Sequence, residues 1–440
     1  MSTPSAPPPA AAAPSPSISL PKTIRELSCA DDYDPNSMPV PKAREYIRAV
    51  LKPVATIERL HIRSALGRVL SEDVISPVNV PGHDNSAMDG YAVRFADLEQ
   101  DSEVKLQLIG TAFAGNPFNG GVGSGQTVRI MTGAVIPDGC DTVIMQERAS
   151  ASGDEISVVA VPKAGTNTRK AGEDLRSGEA ALKKGHLVRP AELGLLASLG
   201  IGEVSVYRKL RVAFFSTGDE LVSVGQQLGP GQIYDSNRYT LFGMLARAEC
   251  EILDMGVIRD TPEAVEEAFV QASAAADVVI TSGGVSVGEA DYVKQVLESL
   301  GEVLFWKIAM KPGRPLAYGK IGDAHFFGLP GNPVAVMVTF YQFVRDALAR
   351  LQGQINVKPL PTMKVKCTAP IKKAPGRTEF QRGILSQDSD GLWSVRPTGD
   401  QGSGILSSMS QAHCFIVLPT ETGSLEAGAT VDVQLLEGLI

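Results

Sequence analysis

Residues 211 to about 351 alternate short apolar runs with amphipathic segments, and this alternation constrains the fold more than any other feature of the chain. The runs VAFFS, CEILDMGVI and DVVIT have the length of strands, and each precedes a segment with helical periodicity. Thr261 followed by Pro262 is typical of a helix N-terminus. Strands that alternate with helices predict a parallel sheet covered by helices on both faces.

Five short polar motifs follow the predicted strands of this segment. They are TGDEL at 217–221, the Arg259-Asp260 pair, SGGVSVGEADY at 282–292, KPGRP at 311–315 and GLPGNP at 328–333. In an open parallel sheet, ligands bind outside the carboxyl ends of the strands. Glycine lets backbone N–H groups approach an anion, carboxylates hold hard cations, and lysine or arginine binds phosphate. The motifs therefore predict one large polar site at one edge of the sheet.

Three carboxylates at this edge are candidate metal ligands. Glu220 follows a buried strand, and Asp260 and Asp291 lie where the next helices begin. Together with phosphate oxygens from a substrate, such a set suits a hard divalent cation such as Mg²⁺. An alternative stays open for Asp260 and Asp291, because an acidic residue at a helix N-terminus also stabilises the helix without any ligand.

Basic and glycine-rich residues at the same edge are candidate anion ligands. Lys307, Lys311 and Arg314 lie within eight residues, beside prolines that stiffen the backbone. Ser282-Gly283-Gly284 leads from a strand to a helix, where free N–H groups favour an anion. The alternatives are a solvated lysine run and a tight turn without a ligand. The combination of acidic, basic and glycine-rich loops favours a binding site.

The composition excludes several classes of function. Charged residues make up 20% of the 440 residues and the net charge is −8, which argues against a general binder of nucleic acid or membrane surfaces. No stretch reaches the roughly 18 apolar residues of a membrane-spanning helix, and the N-terminus lacks a secretory or transit signal. The five cysteines are widely spaced, so we expect reduced thiols in a cytoplasmic protein rather than a disulfide scaffold or zinc site.

The segments on either side of the alternation predict further domains. Residues 41 to about 70 have a helical pattern, which Pro53 interrupts. Short strands with glycine-rich turns occupy about 84–207, and 191–200 predicts a helix that ends at a glycine. Strand patterns return from residue 357 and predict a small terminal barrel or sandwich.

Four further motifs complete a pattern that is known in one family. They are DNSAMDGYAVR at 84–94, RIMTGA at 129–134, AGEDL at 171–175 and FQRG at 380–383. With the five strand-end motifs they make the chain, from Leu20 onward, similar to the molybdopterin molybdotransferases of the MoeA family, which includes the E domain of gephyrin. The resemblance implies an enzyme that inserts molybdenum from molybdate into adenylylated molybdopterin with release of AMP. It also implies Mg²⁺ and a homodimer.

The resemblance assigns roles to residues that spacing alone does not single out. It implies that Asp89, Thr132 and Asp174 contribute to the site from the neighbouring subunit. Asp89 and Asp174 are then catalytic residues. The other implied catalytic residues are Glu220, Asp260 and Asp291. Further implied substrate-binding residues are Thr217, Pro330, Pro333, Arg382 and Ser403. Arg314 departs from the pattern, since lysine is also expected there, and it keeps the charge but changes the hydrogen-bond geometry.

The predicted architecture is a multidomain α/β and β protein. A disordered tail is expected at 1–20, because its proline, alanine and serine bury too little surface to offset ordering. Residues 21–85 and 171–208 are expected to form an elongated N-terminal domain, with a small β domain inserted at 86–170. A three-layer α/β domain of the molybdopterin-binding type is expected at 209–352 and a barrel-like domain at 353–440.

Two other classes of function share parts of this pattern, namely enzymes that contain only the α/β domain and scaffold proteins. A molybdopterin adenylyltransferase, or a CinA-like nucleotide hydrolase, would need only the α/β segment, and the extra domains argue against both. A receptor-clustering scaffold like gephyrin would not require intact acidic and basic loops. No Ser-His-Asp or Cys-His arrangement stands out, and no GxxxxGK[ST] loop is present. The adenylyltransferase remains an expected partner.

Overall fold

The computed structural model describes residues 23–24, 34, 36–98, 103–159, 163–284 and 291–436, without the side chains of residues 159, 291–293 and 295. The chain divides into two compact units. The first unit combines Met1–Thr56 with Tyr207–Ile440, and the second is Ile57–Val206. None of the described helices is long and apolar enough to cross a lipid bilayer.

A six-stranded sheet forms the centre of the first unit. Its strands are β1 (Arg211–Thr217), β2 (Glu251–Ile258), β3 (Val278–Ser282), β4 (Gly301–Lys307), β5 (Pro315–Ile321) and β6 (Ala324–Leu329). Their order across the sheet is β2-β1-β3-β6-β5-β4. The strands β2, β1, β3 and β6 run parallel, which confirms the predicted α/β alternation. Strand β5 is antiparallel to both of its neighbours, so the sheet is mixed.

The reversed strand has a simple cause in the connection that precedes β6. Only Gly322 and Asp323 separate β5 from β6, and so short a connection permits only antiparallel pairing. The reversal places the start of β5 at the edge where β6 ends, since Ala317 pairs with Gly328. The loop 308–314 therefore reaches the same edge as the ends of the parallel strands.

Six helices cover or flank this sheet. They are α1 (Val40–Val50), α2 (Ser236–Arg247), α3 (Pro262–Ala275), α4 (Asp291–Leu300), α5 (Pro333–Thr339) and α6 (Arg345–Leu351), and a π-helical turn, Phe340–Val344, joins α5 to α6. The helix start predicted at Thr261 is confirmed by its cap, and α2 begins at a cap of the same kind. Asp235 accepts from the Arg238 N–H at 3.1 Å, and Thr261 accepts from the Ala264 N–H at 3.4 Å.

The two faces of the sheet bury separate apolar clusters, because successive side chains of a strand point to opposite faces. Phe214 belongs to the cluster that includes side chains of α1, α2, α5 and α6. Phe215 belongs to the cluster with α3 and Leu297 of α4. This arrangement confirms the prediction of helices on both faces.

A closed barrel follows the sheet in the first unit. Its five strands are Thr362–Cys367, Thr378–Gln387, Trp393–Pro397, Cys414–Leu418 and Thr430–Leu435. Pairing of Thr378–Gln387 with Cys414–Leu418 closes the ring, and the short strand Met310–Lys311 adds to its side. The predicted terminal barrel is confirmed. A short helix, Ser407–Gln411, and a two-stranded pair, Leu221–Val222 with Ile233–Tyr234, complete the unit.

The second unit is built mainly from strands. Its six-stranded sheet has the order Thr142–Met145, Gly90–Val93, Gln126–Ile130, Glu103–Ala112, Glu155–Val159 and Ala149–Ser152. Three two-stranded pairs are Ile57–His61 with Glu203–Tyr207, Val74–Ile75 with Ala180–Leu182, and Asn85–Ser86 with Thr168–Arg169. Short 3₁₀ turns are Ile62–Ala65, Phe95–Asp97 and Gln146–Arg148. The predicted helix forms at Pro190–Ser198 and is followed by Gly200 with φ of 71°.

The N-terminal helix is shorter than its sequence pattern. It ends at Val50, because Pro53 lacks the N–H that a continuing helix requires. Residues Ile57–His61 form a strand instead. This helix lies in the first unit, whereas the prediction grouped it with 57–85. The predicted domain boundaries stay a prediction.

Replacing Phe269 tests the packing of the sheet against α3. Its ring meets those of Phe215 and Phe326 edge to face, with centroids 5.2 and 5.4 Å apart. We expect Phe269→Ala to lower the free energy of unfolding by about 3–5 kcal/mol, because it leaves a cavity in a close-packed core. Val270 on the same helix is 48% exposed, so Val270→Ala should change stability by less than about 0.5 kcal/mol. Equal losses in urea titrations of the two variants would contradict this packing.

Candidate functional site

A cavity of about 1680 Å³ opens at the carboxyl edge of the central sheet. The ends of β1, β3 and β6, the loop before β5 and the start of α2 form one wall, and loops of the barrel form the other. The Ser403 carbonyl accepts from the Val334 N–H at 3.1 Å, which ties the barrel loop to the first turn of α5. The predicted strand-end motifs therefore share one cavity, and the barrel supplies one of its walls.

Most predicted ligand residues line this cavity. They are Thr217, Glu220, Asp260, Ser282, Gly283, Gly284, Lys311, Arg314, Pro330, Pro333 and Ser403. The lining does not include Lys307, whose carbonyl accepts from the Met38 N–H at 3.1 Å at the end of β4. Asp291 is the first residue of α4, and its side chain lies outside the described part of the structure. The individual roles of these residues stay predictions.

Close backbone packing fixes the glycine-rich loop after β3. Gly283 has φ of 92°, and a Cβ atom built on it would lie 2.8 Å from the Thr217 carbonyl oxygen. Gly284 has φ of 68°, so both residues adopt the left-handed conformation that glycine tolerates best. A Cβ atom on Gly331 would lie 3.9 Å from the Gly283 Cα. The ends of β1, β3 and β6 therefore meet through bare backbone.

Asn237 bridges two of these strand ends from the first turn of α2. Its amide nitrogen donates to the Ser282 Oγ at 2.8 Å and to the Gly331 carbonyl at 2.7 Å. Several buried atoms beside it lack a hydrogen-bond partner among the described residues, namely Thr217 Oγ1, Asp235 Oδ2 and Asn237 Oδ1. Unpaired buried polar atoms are costly, so each of these atoms needs a partner that the described residues do not supply.

Two carboxylates of the predicted metal set face the cavity. Glu220 and Asp260 are exposed lining residues, and the Asp260 N–H donates to Asp219 Oδ1 at 3.4 Å. The described residues contain no group of three or more histidine, cysteine or acidic side chains placed to hold a metal ion. Mg²⁺ usually binds through one or two carboxylates plus substrate phosphates, so this donor set fits a cation that arrives with its substrate.

The basic loop before β5 is held rigidly against the rest of the unit. Lys311 pairs with the nearly buried Glu379, with Nζ and Oε1 3.7 Å apart, and remains 52% exposed. Gly313 has φ of 91°, and a Cβ there would lie 2.5 Å from Thr339 Oγ1. Lys311 and Arg314 are both exposed and line the cavity. They can therefore donate to an anion without a large rearrangement of the loop.

The barrel wall contains basic residues that sequence reasoning missed. Lys372 and Arg377 line the cavity from the loop that precedes the strand Thr378–Gln387. Lys373 between them is 6% exposed, and its Nζ donates to the carbonyls of Ala374, Thr420 and Thr422 at 3.2, 3.4 and 2.7 Å. The run of basic residues was visible in the sequence, but nothing there indicated which barrel loop meets the sheet edge.

Arg382 lies behind the cavity instead of lining it. Its side chain is fully buried, and it donates to Ser408 Oγ at 2.9 Å and to the Gly402 carbonyl at 2.9 Å. Burial lowers the pKa of this guanidinium from its ordinary value. The geometry favours a role in shaping the loop that contains Ser403 over the direct substrate contact that the resemblance implied.

The remaining predicted residues lie in the second unit. Asp89 Oδ1 accepts from the Thr132 N–H and from the Thr132 hydroxyl, both at 2.7 Å. The backbone hydrogen bond, followed by the hydroxyl, lowers the pKa of Asp89. Asp174 is exposed, and its N–H donates to the Val80 carbonyl at 3.0 Å. Asp89 is therefore an ionised carboxylate in a fixed orientation at neutral pH.

Comparison with known proteins places this geometry in a family. Three family models match the chain: the MoeA N-terminal region (domain I and II) at 38–200, a probable molybdopterin binding domain at 213–350 and the MoeA C-terminal region (domain IV) at 364–436. The chain is 50% identical to a molybdopterin molybdenumtransferase from Haemophilus influenzae, over 87% of this chain and 95% of that protein. It is 35% identical to one from a Nostoc species, over 93% and 99%.

A solved structure shows the same architecture. The molybdopterin biosynthesis MoeA protein from Pyrococcus horikoshii matches with 34% identity and a TM-score of 0.73, over 92% of this chain and all of that one. The chain therefore belongs to the MoeA family.

The backbone packing at Gly283 gives a testable expectation for stability. We expect Gly283→Ala to lower the free energy of unfolding by at least about 1–2 kcal/mol, because the left-handed conformation disfavours a Cβ and Thr217 leaves it no room. Gly331→Ala is the matched control, since nothing lies closer than 3.9 Å to its Cβ. Chemical denaturation measures both. If Gly283→Ala were as stable as Gly331→Ala, the close contact with Thr217 would be wrong.

Proposed function

We propose that this chain is a molybdopterin molybdenumtransferase, which inserts molybdenum from molybdate into adenylylated molybdopterin and releases AMP. The observation that carries the proposal is the single cavity in which the acidic, basic and glycine-rich motifs of the family meet. The relatives reported above have this activity in their names. A substrate with a pterin, a diphosphate and an adenosine needs a large polar cavity, and this one measures about 1680 Å³ and is lined by acidic and basic side chains.

The chain's residues bind and orient the substrate from both walls. The N–H group of Gly284 and the side chains of Lys311 and Arg314 suit the phosphate oxygens and the molybdate dianion, whereas the Gly283 N–H is used by the Leu329 carbonyl at 3.1 Å. The prolines of GLPGNP and KPGRP keep these groups in place before binding, so that little entropy is lost. The barrel wall excludes water from the opposite side, which strengthens each charge interaction.

Glu220, Asp260 and Asp291 would hold Mg²⁺, which when bound polarises the phosphoanhydride bond whose cleavage releases AMP. Glu220 and Asp260 support this assignment by lining the same cavity as the basic loop.

The two competing functions are not favoured. Both relatives reported above are named molybdenumtransferases, and the match to them includes the second unit and the barrel, which an adenylyltransferase would not need. The acidic and basic loops that a scaffold would not require are intact. Association with a molybdopterin adenylyltransferase and a cytoplasmic location remain parts of the proposal.

Removing one carboxylate tests the function directly. We expect Glu220→Gln to slow AMP release from adenylylated molybdopterin by about 100-fold or more, because the polarising cation loses a ligand. Asp323→Asn is the control, since Asp323 is an exposed residue of the turn between β5 and β6. Thermal unfolding should be the same in both variants. Normal AMP release by Glu220→Gln would refute the metal role of this residue.

A homodimer with shared sites is the second part of the proposal. Asp89, Thr132 and Asp174 lie in the second unit, and we propose that each subunit offers them to the cavity of its partner. An exposed apolar surface supports association. Tyr239 and Phe242 lie one turn apart on α2 and are 55% and 51% exposed, and Ile233 just before this helix is 56% exposed. Symmetric dimers are the commonest assembly of soluble enzymes.

Mixing two inactive variants tests shared sites. In a heterodimer of Asp89→Ala and Glu220→Ala, one site has both defects and the other has neither. We therefore expect partial recovery of molybdenum insertion after subunit exchange, towards a quarter of the wild-type activity for random pairing. Light scattering verifies the dimer, and a tagged subunit verifies exchange. Exchange without recovered activity, or a monomer, would rule out sites that contain residues of both subunits.

A further inference from the structure

The hydrogen bonds of Asn237 determine which way its amide group faces. The Gly331 carbonyl can only accept, so the NH₂ group of Asn237 must face it at 2.7 Å. The second N–H of the same nitrogen then donates to Ser282 Oγ at 2.8 Å. Both hydrogens of the amide are used, and the orientation of the side chain is fixed.

This orientation decides the role of the Ser282 hydroxyl. Because its oxygen accepts from Asn237, its own proton is left to donate. Ser282 is 2% exposed and Thr217 is 8% exposed, and both line the cavity. Thr217 Oγ1 has no partner among the described residues, so Ser282 does not donate to it. Two nearly buried hydroxyls at adjacent strand ends therefore have protons to donate into the cavity.

The surrounding groups indicate the chemistry of the acceptor. Gly283 and Gly284 follow Ser282 directly, and a Cβ on Gly283 would lie 3.4 Å from Thr217 Oγ1. Two hydroxyls beside a glycine-rich turn suit the oxygens of a phosphate group. A carbonyl oxygen accepts from at most two donors, whereas the three terminal oxygens of a phosphate monoester can accept from both hydroxyls and from further donors of the turn.

We propose that Asn237 is a positioning residue, which orients the Ser282 hydroxyl, together with that of Thr217, as a donor to the phosphate of the pterin substrate. The inference rests on the proposed function. Asn237 acts through Ser282, because its hydrogen bond determines where the Ser282 hydroxyl can donate. Its second hydrogen bond connects the end of β3 to Gly331 in the loop after β6 and so stabilises the shape of the phosphate subsite.

Binding of two pterins separates the phosphate interaction from pterin binding. The probes are 6-hydroxymethylpterin and its phosphate monoester, titrated into the full-length protein. We expect wild type to prefer the phosphate ester, and Asn237→Asp to lose about tenfold of that preference while its affinity for the alcohol is unchanged. Asp has the size of Asn but offers no N–H to Ser282 or Gly331.

Two further variants connect the effect to Ser282. Asn237→Ala introduces no charge opposite the Gly331 carbonyl and should lose the phosphate preference to a similar extent, even if Asn237→Asp does not fold. Ser282→Ala should lose it as well, and adding Asn237→Ala to Ser282→Ala should cost less than about twofold more, because both act through one hydroxyl. Thr240→Ala is the control, since its hydroxyl donates to the Ser236 carbonyl on the same helix outside the cavity.

The outcomes distinguish this inference from the proposed function. A full phosphate preference in the folded Asn237 variants, or additive losses in the double variant, would overturn the role of Asn237 and leave the enzyme assignment intact. A wild-type protein that binds neither pterin, or binds both equally, would overturn the phosphate subsite and count against the proposed function.

Discussion

The contact between the Gly283 backbone and the Thr217 carbonyl is the constraint on which the site depends. It brings the ends of β1 and β3 together more closely than any side chain would allow, and Gly331 after β6 lies beside this contact with room for a Cβ. Neighbouring strands of a sheet lie about 4.8 Å apart, so loops without side chains are needed for their polar groups to converge on one ligand. The bridging hydrogen bonds of Asn237 then fix the floor of the cavity.

The opposite wall depends on buried polar anchors. The ammonium group of Lys373 donates to three backbone carbonyls. The guanidinium of Arg382 donates to Ser408 Oγ and to the carbonyl of Gly402 in the neighbouring loop. Neither needs to touch a substrate to matter, because each fixes a loop whose neighbouring residues line the cavity. Two such anchors hold the barrel wall of the cavity in a fixed shape.

The sequence predicted the sheet wall well, because parallel strands with helical connections bring their carboxyl ends to one edge wherever the individual loops lie in the chain. Lys311 and Arg314 were found this way, although their loop precedes an antiparallel strand. Of the barrel wall, the resemblance alone indicated Ser403, and Lys372 and Arg377 were not predicted, since the loop that meets the sheet is chosen by tertiary packing. The bridging role of Asn237 was not predicted, because it lies next to the helix cap Asp235 and polar residues are common at the start of a helix. The burial of Arg382 could not be inferred, because an arginine in a strand is usually exposed.

We propose that one cavity couples AMP release to molybdenum insertion. The most direct test measures both products in one reaction of purified protein with adenylylated molybdopterin, molybdate and Mg²⁺, with AMP quantified by chromatography and molybdenum bound to pterin by mass spectrometry. We expect AMP and molybdenum-loaded pterin in equal amounts. AMP formed without molybdenum insertion, or adenylylation of molybdopterin by ATP in its place, would contradict it.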